Sequence, residues 1–222
     1  MHAPHKRRRQ GYETPRPDIQ AHVPLDARRI LEVGCSTGAL GHALKQRQAA
    51  TVVGVELDPG YACAARARLD HVIASDVEEF LRAPPPDEAP FDCLVAADVL
   101  EHLVDPWSAL QRAVALLRPG ATVVVSLPNV AELGGVWRLL REGRWPRDDE
   151  GVFDRTHLRW FTLTDAVELV QGAGLQILRI EPRYWAGGWR LRARRLLART
   201  ALHPYVASQY IISAVKHERA RA

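Results

Sequence analysis

The sequence has no apolar run near the ~20 residues that a membrane-spanning helix needs, so no bilayer-crossing helix is expected. Cysteine is scarce: Cys35, Cys63 and Cys93 are the only three, with no C-x-x-C and no zinc spacing among them. That excludes a disulfide framework and a structural zinc module. It fits reduced, buried thiols in a cytoplasm. Behind the basic start "MHAPHKRRRQGYETPRP" there is no apolar core or cleavage site, so a secretory signal is not expected. Internal repeats and RNA-binding module motifs are also lacking.

What is present fits one α/β domain. Across 222 residues, 47% are hydrophobic and 25% charged, enough for a full core. The net charge is +4, and the excess is uneven. Lys6 to Arg9 form one basic cluster, and Arg190, Arg192, Arg194, Arg195 and Arg199 another. Such clusters suit nucleic acid, anionic lipid or an anionic substrate, or are solvated faces. Residues 1–20, with Pro4, Pro15 and Pro17, read as a flexible basic segment or lid before a single domain over 21–222.

From Arg29 onward, apolar runs alternate with helical patterns. "RRILEVG", "ATVVGVE", "HVIASD", "FDCLVAAD", "ATVVVSLP", "LQILRIEP" and "QYIISAVK" read as strands. The early ones are nearly continuous in apolar residues, as in strands buried on both faces. Helices are expected near 38–48, 58–69, 105–117, 131–142 and 164–173. The alternation predicts a doubly wound, mostly parallel sheet with helices on both faces. Two stretches are long, about 130–162 and about 184–206, both rich in Trp and Arg. The first follows the carboxyl end of a strand, where open α/β sheets place ligands, and reads as a cap. The second reads as a basic helical insert.

The first strand runs into "ILEVGCSTGALG". Gly34 and Gly38 let the backbone turn sharply and approach a ligand closely. The following helix offers free N–H groups and a positive dipole end. Glu32, just before the turn, suits an ammonium group and would repel a pyrophosphate. Ser36 stands where a dinucleotide loop would place glycine, and the chain shows no second catalytic domain. A dehydrogenase is therefore disfavoured. Glu56 ends the second strand, where an acid accepts from both ribose hydroxyls. Asp76 ends the third and could accept from an adenine amino group. The ligand so drawn has an amino acid end, a ribose and an adenine.

These residues together resemble the class I S-adenosylmethionine-dependent methyltransferases, over roughly Arg29 to Thr162. "LEVGCSTG" is similar to the family's first motif, with Ser36 in place of its usual third glycine. "FDCLVAADVLEHLVDP" resembles the fourth-strand motif of the branch with quinone-biosynthesis and natural-product enzymes. "LLRPGATVVVSLPN" matches the fifth strand. "DRTHLRWFT" resembles a segment of bacterial methyltransferases encoded with glycan-assembly enzymes. The resemblance implies a seven-stranded Rossmann-like sheet with its last strand antiparallel. The implied donor is S-adenosylmethionine, leaving as S-adenosylhomocysteine. The implied donor-binding residues are Glu32, Gly34, Cys35, Ser36, Gly38, Glu56, Leu57, Asp76, Val77 and Ala97, with Tyr12 as a lid residue.

Methyl transfer from a sulfonium asks the protein to align donor and nucleophile and, for a hydroxyl, to remove a proton. His102 is the first candidate base and His157 the second; each could instead only brace a loop. Asn129 either contacts substrate or caps the next helix, and Arg155 and Arg159 are further candidate substrate contacts. A Glu101–His102–Asp105 metal set is conceivable, but no spacing demands it, and no metal is expected. Two prolines do not follow the fourth strand, so methylation of DNA adenine by that route is disfavoured. In a helix over 189–201, Trp189, Ala193, Leu196, Leu197, Thr200 and Ala201 share one face, with arginines mostly opposite. It either packs on the domain or touches an anionic membrane or phosphorylated carrier. The expected function is methyl transfer to oxygen of a sugar, glycan intermediate or other small molecule, in the cytoplasm or peripherally at a membrane. The alternatives are a non-catalytic binding protein of this fold and an RNA or protein methyltransferase, nucleic acid being the weaker partner.

Overall fold

The computed structural model describes residues 13–85, 90–185 and 187–217. Tyr12 and the Lys6–Arg9 cluster lie outside the described residues. In chain order the elements are α1 (Pro17–Gln20), β1 (Arg29–Val33), α2 (Ala39–Arg47), β2 (Thr51–Glu56), α3 (Pro59–Ala65), β3 (His71–Ala74) and α4 (Val77–Arg82). They continue with β4 (Phe91–Ala97), α5 (Pro106–Ala115), β5 (Leu117–Pro128), α6 (Leu133–Glu142), α7 (Leu163–Gly172), β6 (Leu175–Arg183), α8 (Gly188–Leu197) and β7 (Gln209–Lys216). Single 3-10 turns stand at Leu100–His102 and His203–Tyr205.

The strands form one seven-stranded sheet in the order β3-β2-β1-β4-β5-β7-β6. Strands β1 to β5 pair in parallel, and β7 runs antiparallel between β5 and β6. This is the expected sheet, last strand included. The order reverses between β1 and β4, so the ligand crevice lies over their carboxyl ends.

The strands are apolar because the sheet is covered twice. Leu31, Val33, Val53, Val55, Leu94, Ala96, Val123 and Val125 face one core layer with α5 and α7. Their neighbours Ile30, Val52, Cys93, Val95 and Val124 face the other, with Leu40 and Leu44 of α2. This is the period-two alternation of a strand, apolar on both sides.

The expected lead-in ends earlier than residue 20. Ile19 is fully buried and Val23 nearly so, both in the second core layer. Arg47 donates to the carbonyl of Val23 at 2.8 Å, and Gln48 to those of Pro24 and Ala27. An apolar residue spaced among prolines was read as linker, and it instead seals the sheet.

The helix at the second insert is present, and of its two expected orientations the outward one holds for its apolar face. Its apolar residues do not pack inward: Trp189 is 75% and Leu196 67% exposed. Arg194, from the basic set, turns inward instead. It donates to the Val206 carbonyl, to Ser208 Oγ at 3.0 Å and to Glu132. Helix α6 likewise buries no residue fully, and Leu133, Trp137 and Leu140 at i, i+4 and i+7 face solvent. Among the described residues, no helix is long and apolar enough to cross a membrane.

Candidate active site

The turn after β1 adopts the left-handed backbone three times, at Gly34, Ser36 and Gly38. Ser36 sits at φ 50°, a region that glycine enters without cost. This explains physically why a glycine is usual there, and serine tolerates the strain. At Gly34 a Cβ would lie 2.7 Å from Val99 Cγ2, so the loop presses against the chain beyond β4. The N–H groups of Gly34 and Cys35 donate to the Val55 carbonyl at 2.9 and 3.0 Å.

Glu56 ties this loop to the next element. One carboxylate oxygen accepts from the Ser36 N–H at 2.8 Å and the other from the Asp58 N–H at 2.8 Å. Asp58 in turn caps α3 through the N–H groups of Gly60 and Tyr61. Asp76 is an N-cap as well, accepting from the Glu79 N–H at 3.0 Å. Leu57 is exposed. Cys35 and Val77 are buried side chains of the core, so either would meet a ligand only through its backbone. Burial pushes the Cys35 thiol up and keeps it protonated. Ala97 is half-buried at the end of β4.

Two buried polar atoms at this loop have no hydrogen-bond partner: Glu32 Oε2 and Ser36 Oγ. Burial pushes Glu32 up to about 8. Orphaned buried polar groups are costly. A ligand carrying an ammonium group and hydroxyls offers what this set lacks. The residues therefore fit an amino acid nucleoside.

Beyond β4 a second group gathers. Asp98, at φ 56°, holds three contacts: Ser126 Oγ at 2.5 Å, Gln209 Nε2 and the Arg16 guanidinium. Arg16 also pairs with Asp18 at 3.1 Å. The sequence reading passed over Asp98 and Gln209, whose convergence needs the antiparallel β7. Glu101 is 1% exposed, and its Oε2 has no partner. Burial, then the Asp98 charge, raises its carboxyl well above the usual range. Its carbonyl accepts from the N–H groups of Leu158 and Arg159, at 2.8 and 3.0 Å. The long insert is thereby folded back onto the end of β4.

This brings His102 and His157 together, their rings edge to face at 4.7 Å. His157 Nδ1 lies 3.0 Å from the Val152 carbonyl, and His102 Nδ1 lies 3.1 Å from that of Thr156. A carbonyl only accepts, so each Nδ1 carries the hydrogen and each Nε2 keeps its lone pair. Burial and the neighbouring His102 lower His157 below the ordinary imidazole range, so it is neutral near pH 7. His157 Nε2 lies 4.0 Å from Glu101 Oε1. One ligand atom from each of Glu101, His102 and His157 lies within 4.8 Å of the others, a spacing that could hold a cation. Asp105 is not in this group, because it caps α5 through the Ser108 N–H.

The expected substrate contacts fare differently. Asn129 is 1% exposed, and its amide donates to the carbonyls of Pro204 and Ala207 and accepts from the Ala131 N–H. These contacts clamp β5 to the approach to β7. Arg159 braces the carbonyls of Leu158 and Val104. Arg155 is exposed and pairs with Asp149 at 2.8 Å.

The sheet order and the loop over its crevice define a Rossmann-like methyltransferase domain. A methyltransferase-domain family model matches residues 5–180. A ubiquinone biosynthesis O-methyltransferase of Xylella fastidiosa strain M23 is 30% identical over 225 residues, covering 92% of this chain and 80% of that protein. The enzyme of the same name from strain 9a5c is 36% identical over 118 residues, and that alignment spans only 46% of its length. Among solved structures, an S-adenosylmethionine-dependent methyltransferase from Archaeoglobus fulgidus shares the fold at TM-score 0.64 and 17% identity, covering 95% of this chain and 90% of that one. The chain belongs to the class I S-adenosylmethionine-dependent methyltransferases, in a branch similar to the quinone-biosynthesis enzymes. The methyl donor of this family is S-adenosylmethionine.

Proposed function

We propose that this protein transfers a methyl group to a hydroxyl oxygen of a small-molecule or glycan acceptor, with His157 as the base and His102 as its neighbour. S-adenosylmethionine supplies an already activated methyl group. Glu32, Ser36 and Glu56 hold the donor, and the backbone at Gly34 gives it room. The observation that carries the reading is the pair of imidazoles packed together beside the carboxyl end of β4, each with its Nδ1 on a backbone carbonyl. A buried neutral imidazole there takes the hydroxyl proton as the oxygen–methyl bond forms, becoming imidazolium. Nearby Glu101 can share that proton. The relatives' printed role as O-methyltransferases of ubiquinone biosynthesis supports an oxygen acceptor of low molecular weight.

The orphaned Glu101 Oε2 favours a second reading of the same group: a divalent cation held by Glu101, His102 and His157 that polarises the acceptor hydroxyl. Both Nδ1–H groups already rest on carbonyls, the arrangement that orients metal-binding histidines. One assay separates the two. With a panel of phenols and sugars and labelled donor, His157→Gln should lower kcat by about 10²–10⁴-fold, with the affinity for S-adenosylhomocysteine unchanged. Insensitivity of the wild type to EDTA supports the base. Loss with EDTA and recovery with Mg²⁺ or Mn²⁺ supports the cation. Full activity of His157→Gln excludes both.

The outward-facing Trp137, Leu140, Trp189 and Leu196, close to basic residues, support contact with an anionic membrane surface. Co-sedimentation with phosphatidylglycerol vesicles, weakened at least tenfold in Trp137→Ser/Trp189→Ser, is the expected result. Unchanged sedimentation of that variant would remove the membrane role.

A further inference from the structure

We propose that the cavity between α6 and the strap following it binds a phosphate or diphosphate ester group of the acceptor. The inference rests on the small-molecule reading above and narrows its substrate class. The cavity has a volume of about 460 Å³ and is lined by Arg138, Arg144, Trp145, Pro146 and Arg147. Its origin is local. Gly143 closes α6 at φ 64°, turning the chain back so that the strap runs beside the helix it has just left. Buried Pro146 anchors the strap. Arg138 of the helix then faces Arg144 and Arg147 across one opening.

Three guanidinium groups line this cavity, and no carboxylate does. Two acids pair with them. Asp148 receives two hydrogen bonds from Arg138 Nη1, at 2.7 and 2.9 Å, and Glu142 lies 3.2 Å from Arg138 Nε and 3.4 Å from Arg144 Nε. The Arg138 head is therefore held in place before any ligand arrives. The three guanidiniums outnumber the two carboxylates that pair with them, which leaves the space favourable to an anion, and the planar fork of arginine matches phosphate oxygens in pairs.

The remaining wall is a fixed aromatic ring. Trp145 is held edge to face by Phe153 at 5.2 Å and by Trp160 at 4.9 Å, and it keeps 41% of its surface exposed. A volume within the 300–1,000 Å³ range of ligand sites exceeds the need of a bare phosphate. It suits a phosphate ester whose ring lies against the indole.

The cavity adjoins the candidate catalytic group through one segment. Trp160 directly follows Arg159, whose N–H rests on the Glu101 carbonyl, and His157 lies in the same loop. An acceptor anchored by its phosphate here would have its hydroxyl end directed along residues 157–160.

The test is calorimetry on the full chain saturated with S-adenosylhomocysteine, using sodium pyrophosphate and glucose 1-phosphate as probes. Both should bind the wild type. Arg144→Ala/Arg147→Ala should weaken both at least tenfold, and Trp145→Ala should weaken the sugar phosphate more than pyrophosphate. The affinity for S-adenosylhomocysteine should be unchanged in each variant, which also reports that it folds. No binding of either probe, or equal binding by the double variant, overturns the site. Phosphatidylglycerol vesicles form a separate arm. If the double variant loses vesicle binding while neither soluble phosphate binds the wild type, the arginines serve a lipid headgroup and the acceptor site is overturned. Loss of S-adenosylhomocysteine binding by the wild type would count against the methyltransferase reading instead.

Discussion

Glu56→Ala is expected to weaken S-adenosylhomocysteine binding by about 10²-fold or more, measured by calorimetry. Charged hydrogen bonds contribute about 1.5–3 kcal/mol each, and about 1.4 kcal/mol is a factor of ten, so losing two ribose contacts accounts for that much. The structure adds a second route to the same loss. Both carboxylate oxygens already hold backbone N–H groups, of Ser36 and of Asp58, so the alanine variant also frees the glycine loop. A 2′-deoxy analogue separates the routes. Wild type should prefer S-adenosylhomocysteine over the analogue, and Glu56→Ala should not. If the variant keeps the preference, Glu56 only braces the loop. No binding by the wild type would sink the donor site altogether. The same titration tests Glu32. Its pKa of about 8 leaves it mostly protonated at pH 7. Capture of the ligand's ammonium by the carboxylate must then release close to one proton. Titrations in phosphate and in Tris should differ in apparent enthalpy accordingly, and equal enthalpies would leave Glu32 outside the contact.

The glycine loop was legible because it is local. Gly34, Ser36, Gly38 and Glu32 lie within one strand and turn, and Glu56 follows one helix later, so spacing alone carries their placement. The sheet was legible for the same reason, since runs apolar at every position announce strands buried on both faces. The acceptor side depends on contacts far apart in the chain. His102 and His157 meet only because the carbonyl of Glu101 receives two N–H groups from the long insert. Nothing in the sequence states that pairing. Asn129 shows the same limit. Its position after β5 suggested substrate, and its real partners, Pro204 and Ala207, come from a segment about 75 residues later. The sequence leaves the orientation of the basic helix open for a different reason. Helical periodicity tells which residues share a face, and not which face meets the domain. Arg194 turns inward and pairs with Glu132 at the start of α6, which fixes the side that meets the domain.

Gly34→Ala is expected to damage both stability and donor binding, and more than Gly120→Ala. Two costs add. Its φ of 69° is left-handed, which costs an L-residue about 1–2 kcal/mol. The new Cβ would also lie 2.7 Å from Val99 Cγ2 and 3.0 Å from Val99 Cβ, and overpacking of this kind costs about 1–3 kcal/mol. Together they lower Tm by about 5–15 °C in a domain of this size, at roughly 2–4 °C per kcal/mol. Gly120→Ala is the control. Gly120 shares the left-handed backbone, at φ 75°, yet a Cβ there would meet nothing within 4 Å. It should show only the first cost, and donor affinity should not change. Adding Val99→Ala to Gly34→Ala should then recover the steric part of the Tm loss and leave the backbone part. If Gly34→Ala and Gly120→Ala lower Tm equally, the close approach to Val99 is not a constraint on the fold. If Gly34→Ala loses stability but keeps its affinity for S-adenosylhomocysteine, the loop's backbone does not form the donor's seat. The expected coupling of the two losses follows from one geometric fact. The turn proposed to seat the donor is the same turn that presses against Val99.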